Sequence, residues 1–233
     1  MKSFLFPVLL SLPLVSCMTI PTPDLSAVKS VAVANGMSDK FNRSRTGITA
    51  FNNSFEQTSL PGVSAKATAS ALQNLKLRFP TVKILTVPTV PAKTMMGTST
   101  YTEINVEKFR ADALSAARPL NVDAIWIIYP ATLAGARGES FTGLVQVQNA
   151  VPGSKYESVL CVAKAELINV RTGAVIVKSS AQVSGADLPF IEWQEKLGDY
   201  SPSARNAISS AAFQAAKNHM ATLQKFAGIT ATP

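Results

Sequence analysis

Short apolar runs separated by polar, Pro- and Gly-containing stretches set the pattern of this chain. Val28–Val33 is rich in β-branched residues and leads to Asn35-Gly36, which predicts a strand followed by a turn. Residues 37–60 are polar and predict a long loop with at most a short strand near 48–55. From Ser64, a candidate N-cap, Ala65, Thr68, Leu72, Leu75 and Phe79 recur at helical spacing until Pro80 stops them. Val82–Val87 predicts a second strand, and 88–104 a second long loop. Asn105 is placed to cap another helix, with Val106, Phe109, Ala113, Ala116 and Leu120 on one face and Pro119 near its end.

Val122–Tyr129 is the most apolar stretch. Apart from Asp123 it does not alternate, which predicts a central strand covered on both faces. Phe141–Val147 predicts a weaker strand. In the next segment Val159, Cys161, Ala163, Ala165 and Leu167 face one way, with Lys164 and Glu166 opposite. A turn at Arg171-Thr172-Gly173 then leads into a strand from Val175 to Val183, completing a hairpin. Pro202 opens a last long helix, with Ala212, Phe213, Ala216, Met220, Leu223 and Ala227 on one stripe. The expected fold is a single α/β domain over residues 28–228. It has a mixed sheet of about five to six strands, helices packed on it, a long C-terminal helix and a tail at 229–233.

The segments around Val28–Gly36, Asn121–Pro130 and the hairpin Ala165–Gly185 resemble, in element order, a TolB N-terminal-type domain. Lipoproteins of the curli-secretion and penicillin-binding-protein-activator kind carry such a domain. The resemblance spans roughly residues 28–226 and implies the fold alone, so no functional residue is carried over from it. Where that hairpin commonly has Asp two residues before the turn, this chain has Asn169.

The first residues follow a different rule. Lys2 precedes an apolar run, Phe4–Val15, about half the length a bilayer-spanning helix needs and interrupted by Pro7 and Pro13. A charged start, a short apolar middle and a small-residue exit predict a secretory signal over 1–16. Leu14-Val15-Ser16-Cys17 resembles the bacterial lipobox, which implies that Cys17 is acylated and becomes the first mature residue. Residues 17–27, with Pro21 and Pro23, are then a lipidated Cys and a short extended tether. Met18 rather than Asp follows the Cys, which by the same resemblance implies the outer membrane, facing the periplasm.

Composition adds exclusions. Of 233 residues 47% are hydrophobic and 15% charged, enough apolar material for a core and too much for a disordered chain. With Cys17 acylated, Cys161 has no partner for a disulfide, and a buried structural thiol is expected there. A single His excludes multi-His metal sites, and no acidic grouping suits a metal, so neither metal nor cofactor is expected. Gly138-Glu139-Ser140-Phe141-Thr142-Gly143 has the spacing of a phosphate loop. Leu144 and Val145 stand where its Lys and Ser/Thr belong, and a strand follows instead of a helix. Ser140 lacks the nucleophile-elbow spacing, and His219, expected at the edge of the last helix's apolar stripe, is the one imidazole a hydrolase would have. Trp126 is expected in the core, and Trp193 either against the last helix or exposed as an anchor.

The net charge of +8 falls by one when Lys2 leaves with the signal. Lys40, Arg43 and Arg45 cluster in the polar segment and are the candidate surface contact for anionic headgroups, wall polymers or a protein. An exported domain meets no nucleic acid. The reading is a membrane-anchored, non-enzymatic accessory module that binds another envelope protein, with no catalytic residues. Two other classes stay open: a subunit of an oligomeric outer-membrane export pore, which needs lipid-facing hairpins, and an envelope hydrolase, which would depend on His219.

Overall fold

The computed structural model describes residues 23–48, 53–96, 99–134, 140–153, 155–179 and 183–229. Twelve strands and three α-helices are assigned along them. The apolar runs give β1 (Ser30–Asn35), β4 (Thr81–Leu85) and β7 (Ala124–Pro130), which lie side by side and parallel with β1 in the middle. Parallel neighbours need covered crossovers, and α1 (Val63–Arg78) and α2 (Val106–Ala117) supply them. β10 (Tyr156–Asn169) runs antiparallel to β7 through its second half and antiparallel to β9 (Ser140–Asn149) through its first. β2 (Lys40–Thr46) lies parallel to β9 and pairs with β3 (Ser54–Ser59), so the main path is β3-β2-β9-β10-β7-β1-β4.

Both faces of this sheet are buried at β1 and β7, as the unbroken apolar run of β7 requires. Val31, Val33, Trp126 and Ile128 pack on one side with α1 and the long helix α3 (Pro202–Phe226). Ala32, Ala34, Ile125 and Ile127 pack on the other with Phe109, Ala113 and Ala117 of α2. Cys161, Ala163, Ala165 and Leu167 of β10 all join the α3 side. Glu166, on the opposite face, is buried too, because Arg110 of α2 reaches it at 2.9 Å and the Tyr129 hydroxyl at 3.2 Å.

The fold class is as expected, a mixed α/β domain ending in a long helix, but the sheet holds ten strands rather than five or six. Within 37–60, where a loop is expected, Lys40–Thr46 and Ser54–Ser59 pair antiparallel as β2 and β3. In the second expected loop, β5 (Pro91–Met96) and β6 (Ser99–Ile104) pair as a separate two-stranded ribbon. β8 (Thr132–Ala134) folds back on β9. The strand expected from Val175 to Val183 is two: β11 (Val175–Ser179) pairs with the second half of β10, and β12 (Ser184–Leu188) with the first.

Local chemistry also differs from expectation. The N-terminal residue bounding α1 is Gly62, at φ 84°, and Ser64 does not cap it. Asp39 does the work from a distance, its two carboxylate oxygens each accepting an N–H at 2.9 Å, from Gly62 and Ser64. Gly36 is not a turn residue. Its amide donates to the Ile128 carbonyl at 2.7 Å, and a Cβ there would lie 2.8 Å from Ile104 and Phe109. Leu25, assigned above to the tether, is buried in the core, as is Ile229, assigned to the tail. Asn105 caps α2 as expected, and Asn169 opens the β10–β11 turn by accepting the Arg171 and Thr172 amides, the task an Asp would perform.

Among the described residues Trp126 is the largest fully buried side chain. Trp126→Ala should lower the unfolding free energy by about 3–5 kcal/mol with an unchanged denaturant slope, read from urea titration of the full chain.

Candidate functional site

Cys17 and the whole lipobox lie outside the described residues. The candidate basic cluster is inside them, and β2 takes it apart. Along a strand successive side chains face opposite ways, so Arg43 and Arg45 share one face with Phe41 while Lys40 lies on the other with Asn42. Lys40 and Asn42 line a small cleft beside Met37 and Thr142. Arg43 is fully buried. The expectation of one solvated basic loop is therefore corrected for Arg43.

What Arg43 touches explains the burial. Its Nε donates to Gln146 Oε1 at 3.0 Å, and its Nη2 to Tyr200 Oη at 2.7 Å and the Gln194 carbonyl at 2.9 Å. Its Nη1 pairs with the Glu56 carboxylate across the hairpin. The guanidinium also lies over the rings of Trp193, 4.3 Å from its centroid, and Tyr200, at 4.9 Å. Gln146 in turn donates to Glu157, whose carboxylate also accepts from Gln148 at 3.0 Å and from the Ile191 amide at 2.8 Å. A polar lattice thus spans β2, β9 and β10 and ties down the segment 191–200 that crosses over it. Trp193 is half-buried rather than an exposed anchor. It covers Arg43. Sequence reading missed Gln146 and Tyr200 because Arg43 is far from them along the chain, and Glu157 because its burial follows from theirs.

His219 is fully buried, not at the edge of the stripe. Its Nε2 sits 2.8 Å from the Ala163 carbonyl oxygen and 3.0 Å from the Ala163 amide, with Nδ1 3.2 Å from Ser184 Oγ. Ala163 lies between Cys161, paired with β12, and Ala165, paired with β11. The imidazole thus bonds buried strand backbone. Burial lowers its pKa from 6.5, against the Ala163 bond, which raises it. Cys161 is buried beside it in the same face, and desolvation pushes its thiol up to about 12.

A further cavity, of about 770 Å³, opens at the end of the sheet where the described chain begins. Asp24, Val28, Arg118, Asp123 and Arg171 are among its lining residues. Asp123 accepts the amides of Lys29 at 2.9 Å and Ser30 at 2.8 Å and the Ser30 hydroxyl at 2.9 Å, bonds that hold its carboxyl below the usual range. Among the described residues no group of His, Cys, Asp and Glu is placed to hold a metal ion, and no helix is long and apolar enough to cross a membrane.

No protein-family model matches the chain, and a search of curated proteins returns no match. Among solved structures it is similar to a PelC dodecamer from Paraburkholderia phytofirmans, at 15% identity over 88% of this chain and 90% of that one, TM-score 0.35. It is also similar to a Xanthomonas campestris protein of the DUF330 family, at 9% identity over 89% and 90%, TM-score 0.37. A hypothetical protein from Chlamydia trachomatis is similar at 9% identity over 85% and 98%, TM-score 0.34.

Removing Arg43 leaves the Glu56 carboxylate and the Gln146 amide without their partner. Arg43→Met should cost about 3–5 kcal/mol in urea titration, far more than an exposed Lys or Arg would. His219 gives a pH signature. Its folded pKa is lowered, so below pH 6.5 the unfolded chain binds the proton first and stability falls as pH drops from 7 toward 5. His219→Gln should flatten that slope. Cys161 should resist alkylation in the native protein at pH 8 and react in 8 M urea.

Proposed function

We propose that this chain is an envelope lipoprotein, held at the outer membrane by acylated Cys17, whose periplasmic domain is a non-enzymatic module that binds another envelope protein. The Leu14-Val15-Ser16-Cys17 run after a short apolar segment carries the reading. The two side chains an enzyme of this composition would turn to support it, since His219 is committed to the Ala163 backbone and Cys161 sits in the core. Binding surface is also on offer. β4 forms an edge of the main sheet with Ile84 61% exposed, and Leu77 of neighbouring α1 is 66% exposed.

The test uses the full chain in its own envelope, fed a labelled fatty acid and treated with a cleavable crosslinker. The wild-type chain should carry the label and give a discrete crosslinked species heavier than itself. Cys17→Ser should lose the label, and Ile84→Lys should keep the label and lose the heavier species. An unlabelled wild-type chain, or label that survives Cys17→Ser, would overturn the anchor. A crosslinking pattern that Ile84→Lys leaves unchanged would overturn the proposed surface.

A further inference from the structure

The cavity at the tether end of the sheet combines three observations. Arg118 and Arg171 both line it, both are exposed, and among the described residues neither guanidinium has a hydrogen-bond or ion-pair partner. This sets them apart from Arg43, from Arg110, bound to Glu166, and from Arg205, bound to the Gly198 carbonyl. The two carboxylates at the same cavity are occupied: Asp123 by the amides of Lys29 and Ser30, Asp24 by the amide of Ser26 at 2.9 Å. They are turned to backbone donors, and although the Arg171 charge acts on Asp123 across the cavity, the N–H groups of both guanidiniums are left for a group from outside.

The second observation is chemical. Two planar forks on one concave surface suit a tetrahedral oxyanion, which each can grip through two N–H groups. With two carboxylates also present the lining has no net charge. Such a site gains little from a diffuse anionic field and selects instead for an anion placed between the forks.

The third is position. Asp24 and Val28 belong to the first stretch of chain that packs on the domain, with Leu25 and Val28 buried. From Cys17 to Asp24 there are seven Cα steps, so an acylated Cys17 can be no more than about 25 Å from the cavity wall. Resting on the lipoprotein reading above, we infer that the Arg118–Arg171 cavity binds the phosphate of a phospholipid headgroup in the membrane that holds the anchor. The acyl chains then set where the domain is, and the headgroup sets which end of it faces the bilayer.

The test uses the mature acylated protein, its mass first confirming the modified Cys17, placed in nanodiscs of phosphatidylethanolamine or of a phosphate-free galactolipid. Backbone hydrogen exchange is read at 118–124 and 169–173. Exchange there should slow several-fold in the phospholipid relative to the galactolipid, while 140–149 is unchanged. Arg118→Gln/Arg171→Gln should abolish the difference with the rest of the exchange map intact. Equal exchange in the two bilayers, or protection that survives the double substitution, would overturn the assignment. The same protection from 10 mM inorganic phosphate in galactolipid discs would show a soluble anion to be the ligand and overturn the membrane source. An unmodified Cys17 would remove the anchor and the inference together, whereas a modified Cys17 without protection removes the inference alone.

Discussion

The constraint on which this fold depends is the length of β10. Fourteen residues run as one strand, and each half is paired on both sides, the first between β9 and β12, the second between β7 and β11. Two sheets that would otherwise be separate, the parallel β4-β1-β7 set and the β3-β2-β9 set, are joined through it. A strand of that kind has one weak point, where its partners change over. Here that point is Val162–Ala163. The Ala131 amide bonds the Val162 carbonyl at 3.0 Å on one side, and His219 fills the other. The one imidazole in the chain is therefore part of the sheet's hydrogen-bonding, which is why a helix residue beside an apolar stripe is completely dry.

The buried polar lattice is the counterpart on the β2–β9 side. Burying an arginine is tolerated only where each of its donors is answered, and five groups from three regions of the chain answer Arg43. Such a lattice contributes little net energy compared with an apolar filling of the same volume. What it fixes is arrangement, because Gln146, Glu157 and Gln148 accept one register of β2 and one path for 191–200.

How much of this the sequence displays depends on how local the determining contacts are. β7, α2 and α3 are legible because burial alone decides them, and Ile125–Ile128 and the stripe through Ala212, Ala216, Met220 and Leu223 announce it within a few turns or pleats. β2 is not legible. Its inward residues are Phe41, Arg43 and Arg45, and what makes Arg43 an interior residue is contributed by Gln146, Gln194 and Tyr200, more than one hundred positions away. β12 hides for another reason: Gly185 interrupts its pattern, and a Cβ there would come within 3.1 Å of Leu160. The cavity residues Arg118 and Arg171 are ordinary surface arginines in the sequence. Only the folding of the Arg118–Leu120 turn beside the β10–β11 turn makes them neighbours.

The order of the strands also fixes when folding can begin. β1 has no partner until residues 81–85 and 124–128 exist, β2 none on its β9 side until 144–149, and the cover over Arg43 arrives with residues 191–200. The helix that closes the main core ends at Phe226, and Ile229 is still part of that core. Pairings this distant make a slow folder, in which only local pieces such as the β2–β3 pair and α1 are available to the early chain. During synthesis the nascent chain therefore passes most of its length without a stable tertiary structure. A topology that withholds its own completion until the last tenth of the chain has been made leaves everything before it waiting on the C-terminal helix.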